Sequence, residues 1–175
     1  MQNSIQNSNK RNDEFLIEII QKIRKSVGED FIISLKLNSY DGDKIKNGIT
    51  ENGFLTACKL AENAGVDIIK VSGDWDQKKP KPKNPMFLQA TKKLSEIVKI
   101  PVVLIGGIRD IDTMEEILNS SNIRYFGIVR PLICEPDLVK RWKNGDRSKV
   151  KCITCNSCTR NNSLTCVFNN KKNIH

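Results

Sequence analysis

The spacing of apolar residues changes repeatedly along the chain, and this predicts alternating helices and strands. Apolar positions recur at helical spacing in five stretches. Four shorter stretches are continuously apolar and rich in β-branched residues, the pattern of strands buried on both faces. The predicted helices cover residues 13–27, 51–63, 86–98, 111–118 and 136–142. The predicted strands cover residues 31–37, 66–71, 102–105 and 125–129.

The order of these elements, αβαβαβαβα, is typical of an α/β fold with a parallel sheet. It fits either an open sheet or part of a (β/α)8 barrel, of which four strands would make half. Asp13 and Asp110 are predicted helix caps, and Gly28 is predicted to end a helix. Residues 39–48 form a predicted loop. We expect the loop at 74–85, rich in proline and lysine, to lie over an active face or a subunit contact.

Residues with useful chemistry occur near the carboxyl ends of the predicted strands. Gly106 and Gly107 end the third strand, and Arg130 follows the fourth. Backbone N–H groups and a guanidinium that converge on one anion would suit a phosphate. The alternative is that the two glycines only let a strand and a helix pack closely. Lys36, on a strand predicted to be buried, would cost several kcal/mol unless it reaches the rim or meets an anion.

Composition narrows the class of protein. At 175 residues the chain has the length of one domain, and no apolar run approaches the roughly 20 residues needed to cross a bilayer. The N-terminal residues lack a hydrophobic signal region, so we expect a cytoplasmic protein without a membrane partner. The formal net charge of +9 raises nucleic acid as a partner. The lysines are spread without interleaved aromatic residues, which favours a solvated basic surface instead.

Four of the six cysteines crowd the C-terminal region in the pattern C-x2-C-x2-C-x7-C, at Cys152, Cys155, Cys158 and Cys166. Four thiolates at this spacing could hold zinc or an iron–sulfur cluster. The alternative, which we favour from the sequence, is a group of reduced structural thiols that binds no metal.

Five sequence blocks together carry a family resemblance. They are LKLN at 35–38, ENAGVDIIKVSG at 62–73, PVVLIGGIR at 101–109, GIVRPLICEPDLVKRW at 127–142 and CITCNSC at 152–158. In this order they resemble the NADH:flavin oxidoreductase / Old Yellow Enzyme family. The resemblance implies an FMN-binding (β/α)8 TIM barrel, of which this chain resembles strands five to eight. The implied division is a polar N-terminal segment at 1–12, a half barrel at 13–146 and an irregular, basic, cysteine-containing tail at 147–175.

The resemblance also implies roles for single residues. Lys36 would contact the pyrimidine edge of the flavin, and Gly106, Gly107, Gly127 and Arg130 would bind its phosphate. Family members usually have Gly or Ala where this chain has Val129. The family's tyrosine acid and its His/His or His/Asn pair for the substrate carbonyl belong to the first half of the barrel. The only histidine here is His175, so we expect a fragment that lacks that half, and its catalytic residues stay unknown.

Three functions follow from these observations. The first is an FMN-dependent oxidoreductase that passes hydride from NAD(P)H through FMN to a small molecule such as an electron-poor alkene. The second is a catalytically inactive half barrel or assembly partner, which would join a complementary N-terminal half-barrel chain or associate with itself. The third is a flavoenzyme like the tRNA-dihydrouridine synthases, which the blocks at 127–142 and 152–158 fit poorly.

Overall fold

The computed structural model describes residues 2–39, 49–73, 85–160 and 164–168. Within them, helices and strands alternate as far as the fourth strand and then give way to three short helices. The helices are α1 Gln2–Val27, α2 Glu51–Asn63, α3 Leu88–Ile97, α4 Ile111–Ser120, α5 Arg130–Cys134, α6 Leu138–Lys143 and α7 Ser157–Arg160. The strands are β1 Ser34–Asn38, β2 Ile68–Ser72, β3 Val102–Ile105 and β4 Tyr125–Gly127. The predicted α/β class is therefore confirmed.

The four strands form one sheet in the order β1-β2-β3-β4, which is also their order along the chain. β1 runs parallel to β2 with Ser34 opposite Ile68, and β2 runs parallel to β3 with Ile69 opposite Val102. Each connection between neighbouring parallel strands contains a helix, as a parallel pair requires.

The chain divides into two compact units. The first comprises residues 1–107 and 121–126, and the second comprises residues 108–120 and 127–175. The core of the first unit contains fully buried side chains from α2, α3 and the sheet, including Phe54, Ile69, Leu94 and Leu104. The core of the second unit is smaller and lies around Leu138, Trp142 and Val150.

Local sequence explains several helix boundaries. Gly28 has φ +79° just after α1, and its N–H donates to the carbonyl of Arg24 at 2.9 Å. Asp110 precedes α4 and accepts from the N–H of Thr113 at 2.8 Å. Both predictions are confirmed. Asp13 is not a cap, because α1 already begins at Gln2. Each residue added to an existing helix forms a hydrogen bond without a new nucleation step, so the polar start of the chain can extend the amphipathic part.

The predicted burial of two strands was wrong. In β1 only alternate residues are partly covered, and Lys36 is exposed. β4 has three residues, of which Tyr125 is 52% exposed. Both strands lie at the ends of the described sheet, where they have a neighbouring strand on one side alone. β1 also begins three residues after the predicted start of the strand at 31–37, and Phe31 and Ile32 before it are exposed.

The region after β4 also differs from the prediction. Arg130 and Pro131 were predicted to form a turn but begin α5, where proline at the start of a helix sacrifices no internal hydrogen bond. The predicted helix at 136–142 begins later, as α6. The predicted loops at 39–48 and 74–85 lie almost wholly outside the described residues.

Candidate functional site

The carboxyl ends of β1 and β2 place polar side chains together within the first unit. The hydroxyl of Ser72 donates to the side-chain oxygen of Asn38 at 2.8 Å, and the N–H of Ser39 donates to the carbonyl of Ser72 at 2.7 Å. Lys36 pairs in register with Lys70 of β2. Partners in register point to the same face of a sheet, so two ammonium groups share that face. Sequence reasoning missed Lys70, although its distance from the end of its strand matches that of Lys36.

The glycine turn after β3 requires glycine at both positions. Gly106 has φ +100° and Gly107 has φ +87°, conformations that other residues rarely adopt. A Cβ atom on Gly107 would lie 2.9 Å from the Cα of Pro85, and one on Gly106 would lie 3.3 Å from the Cε of Met86. The close neighbour of this turn is therefore the segment before α3. That packing explains the glycines without a ligand, and phosphate binding by their N–H groups stays a prediction.

Arg130 lies in the second unit, at the first position of α5. Its guanidinium is partly buried, and Nη1 donates to the side-chain oxygen of Asn156. Gly127, the last residue of β4, belongs to the same unit, and Val129 beside Arg130 is exposed. Lys36, Gly106 and Gly107 belong to the first unit, so the two halves of the predicted phosphate site are described separately, and their joint action stays a prediction.

Five cysteines line one cavity of the second unit. They are Cys134, Cys152, Cys155, Cys158 and Cys166, and Arg130 and Asn156 line the same cavity. No disulfide joins any of the six cysteines, all of which lie in described parts of the chain. Among the residues that the structure describes, no three His, Cys, Asp or Glu side chains are close enough to hold a metal ion. The four predicted ligands thus share a cavity, but their sulfur atoms do not converge on one point.

Cys134 belongs to this group as well, although the sequence motif does not include it. The thiol is buried at the end of α5. Burial first, and then a hydrogen bond with Cys166, raises the pKa of this thiol above its usual range. A separation of 18 residues from Cys152 gives no motif spacing, so the sequence holds no signal that would have found it.

The polypeptide between the first two cysteines of the motif is held by a second arginine. Arg109 donates from Nη1 to the hydroxyl of Thr154 and from Nη2 to the carbonyl of Cys152. The N–H of Val150 donates to the carbonyl of Arg109 at 3.1 Å. Thr154 and Asn156 both have φ +61°, so the chain turns sharply on each side of Cys155. The cysteine motif is therefore a structured loop in which two side chains bind arginines.

With this geometry in hand, comparison with known proteins places the chain in a family. Residues 7–149 match the model of the NADH:flavin oxidoreductase / NADH oxidase family, and the chain belongs to that family. It is 29% identical over 153 residues to an NADH oxidase of Thermoanaerobacter brockii, covering 83% of this chain and 23% of the relative. It is 27% identical over 165 residues to the multifunctional alkene reductase/demethylase OYE of Caballeronia cordobensis, covering 89% and 24%.

Solved structures agree with this membership. A 2-naphthoyl-CoA reductase in complex with 2-naphthoyl-CoA matches with a TM-score of 0.63 and 27% identity, over 76% of this chain and 21% of that one. An old yellow enzyme homologue from Zymomonas mobilis shares the fold, with a TM-score of 0.60 and 18% identity over 81% and 39%. The chain spans about a quarter of the length of the curated relatives named above. None of the described helices is long and apolar enough to cross a membrane.

Proposed function

We propose that this chain supplies the phosphate-binding part of an FMN-dependent NAD(P)H oxidoreductase. The observation that carries the proposal is the family match over residues 7–149, which contains all four strands. The residues that the family resemblance assigns to the flavin lie on those strands or directly after them. Bound FMN would supply a ring that accepts hydride from NAD(P)H and passes it to an electron-poor alkene or a similar acceptor.

The residues present fit a flavin phosphate in charge and in backbone conformation. Arg130 brings a partly buried guanidinium to the end of β4. Gly106 and Gly107 have left-handed φ angles, which turn the chain sharply after β3. Such a turn can aim backbone N–H groups at an anion, and guanidinium groups bind phosphate through paired N–H donors.

Lys36 would lie at the pyrimidine edge of the flavin. Lys70 lies on the same face of the sheet, so that edge of the flavin would meet two cations. Positive charge there would stabilise negative charge on N1 and O2 of a reduced flavin by Coulomb attraction.

An active enzyme of this design needs a complementary half barrel, whether it comes from the same polypeptide or another. The surface of the described residues supports association with such a half. Apolar residues of α1 spaced four apart are exposed, as are Phe31 and Ile32 next to the edge of β1 that pairs with no described strand. The exposed residues of α1 are Phe15, Ile19, Ile23 and Val27. Exposed apolar residues beside an open strand edge favour association, either with that half or with a second copy.

Flavin binding tests the proposal directly. The purified chain is titrated with FMN and with riboflavin, which lacks the phosphate, and binding is followed by quenching of flavin fluorescence. We expect FMN to bind at least about tenfold more tightly, since hydrogen bonds to a charged group contribute about 1.5–3 kcal/mol. Equal affinity for the two flavins would contradict the phosphate assignment. Reduction of bound FMN by NADH or NADPH, followed by oxidation with an enone, then measures activity.

The second candidate is a half barrel that takes part in assembly but not in catalysis. The exposed apolar residues and the share of the relatives that the chain covers favour it. Mixing the chain with a half barrel that carries strands one to four separates the two functions. Recovery of turnover in the mixture supports the enzyme, and a stable complex without turnover supports the assembly role. The family match gives no support to a tRNA-dihydrouridine synthase.

The four cysteines of the C-terminal motif have two candidate states. They either bind an iron–sulfur cluster or zinc, or are reduced thiols that bind no metal. Four thiols that line one cavity have the donor chemistry for iron–sulfur or zinc, although their sulfur atoms are not drawn together. Assays for iron, zinc and acid-labile sulfide after anaerobic purification decide between them. About four irons and four sulfides per chain would indicate a cluster.

A further inference from the structure

The cysteine loop, defined as residues 152–156, contacts two arginines. Arg109 follows the glycine turn after β3, and Arg130 follows β4. We propose that Asn156 is a positioning residue for phosphate binding, because its side chain holds the Arg130 guanidinium in place. This inference rests on the proposed FMN function. It assigns to the cysteine loop a role that is independent of whether the cysteines hold a metal.

The hydrogen-bond partner of Arg130 is an amide rather than a carboxylate. Nη1 donates to Oδ1 of Asn156. An amide oxygen is neutral, so it fixes the guanidinium without cancelling its charge. A guanidinium has five N–H donors, and one bond to an amide leaves enough of them for a paired contact with a phosphate. A carboxylate at this position would instead compete with the phosphate for the same cation.

The backbone at residue 156 also favours asparagine. Its φ is +61°, in the left-handed region that asparagine tolerates better than most residues other than glycine. Asparagine therefore meets two requirements at once, a left-handed backbone and a neutral acceptor. Glycine would satisfy only the backbone, and aspartate would add a negative charge, which makes these two substitutions informative.

The rest of the loop is fixed independently of Asn156. Arg109 donates to the hydroxyl of Thr154 and to the carbonyl of Cys152, and its own carbonyl accepts from Val150. None of these contacts involves the side chain of Asn156. The Asn156 side chain can thus be changed while the loop stays anchored, so that the positioning role is separable from folding.

The experiment compares FMN with riboflavin in the full chain and in Asn156→Gly. The matched control is Leu164→Gly, because Leu164 also has a positive φ, +47°, and is 67% exposed. We expect Asn156→Gly to raise the Kd for FMN about three- to tenfold while the Kd for riboflavin changes less than about twofold, because a guanidinium that Asn156 no longer holds must lose its freedom when the phosphate binds. The control should change neither value.

Two further variants sharpen the result. Asn156→Asp should also weaken FMN binding, since its carboxylate pairs with Arg130, and should leave riboflavin binding unchanged. In an Arg130→Met background, Asn156→Gly should have no additional effect, because the two residues act through one contact.

The outcomes separate this inference from the function on which it rests. If the unmodified chain shows no preference for FMN over riboflavin, the proposed function is wrong and the inference is lost with it. If that preference exists and Asn156→Gly leaves it intact, only the inference is overturned. Equal weakening of both flavins by Asn156→Gly would also overturn it, because that result indicates a structural role rather than the positioning of a phosphate ligand.

Discussion

Substitution of Gly107 by alanine tests the structural account of the glycine turn. Gly107 has φ +87°, and the added Cβ would lie 2.9 Å from the Cα of Pro85 and 3.3 Å from the backbone nitrogen of Met86. The neighbours are main-chain atoms, so the contact cannot be relieved by rotation of a side chain. Either the turn or the segment at Pro85 must move.

The expected loss in the free energy of unfolding is the sum of two costs, less one gain. Holding a residue with a Cβ in the left-handed region costs roughly 1–2 kcal/mol, and forcing close-packed atoms apart costs roughly 1–3 kcal/mol. Alanine restricts the unfolded chain and returns about 0.4–1 kcal/mol. We therefore expect Gly107→Ala to lower the free energy of unfolding by about 2–4 kcal/mol.

Gly28→Ala in the same unit is the matched control. Gly28 has φ +79°, but a Cβ there meets no atom within 4 Å. Only the conformational cost applies, so the loss should be about 1 kcal/mol or less. The urea concentrations at which half of each variant is unfolded should differ by about 1 M. Equal midpoints would refute the argument that the backbone at Pro85 and Met86 excludes a side chain.

Three further predictions concern ionisable groups. Burial raises the pKa of Cys58 from 9.0 to about 12, so alkylation by iodoacetamide at pH 8, followed by mass spectrometry, should be about a thousandfold slower than in urea. The pKa of Asp67 is lowered, first by the N–H of Ile33 and then by Arg24, so its contribution to stability is present above pH 4 and lost as the pH falls further. Asp67→Asn should reduce this loss of stability below pH 4, measured as the free energy of unfolding by urea at several pH values. Arg147→Ala should cost less than about 1 kcal/mol by the same method, because its pairs with Asp112 and Glu115 are half exposed.

Predictions that rest on neighbouring residues agreed well with the structure. The helix that ends at Gly28, the cap at Asp110 and the core strand β3 were all recognisable in the sequence. Each depends on a pattern of a few residues, such as a left-handed glycine or an apolar run. The alternation of these patterns was enough to predict the parallel sheet.

Predictions that depend on distant neighbours agreed less well. Lys36 was expected on a strand covered on both faces, yet it is exposed in β1, at the edge of the described sheet. α5 was not predicted, since its five residues are too few to show helical spacing. Whether a residue is buried depends on which other parts of the chain cover it, and an apolar run does not contain that information.

The sequence by itself therefore determined the order of the elements as far as β4, and the family. These follow from local spacing and from five short blocks, which are properties of the chain read in one dimension. Only the tertiary structure decided that Cys134 joins the cysteine group and that Arg130 binds Asn156, 26 residues further along. Contacts of this kind arise when packing brings distant segments together, and no local pattern of residues specifies them.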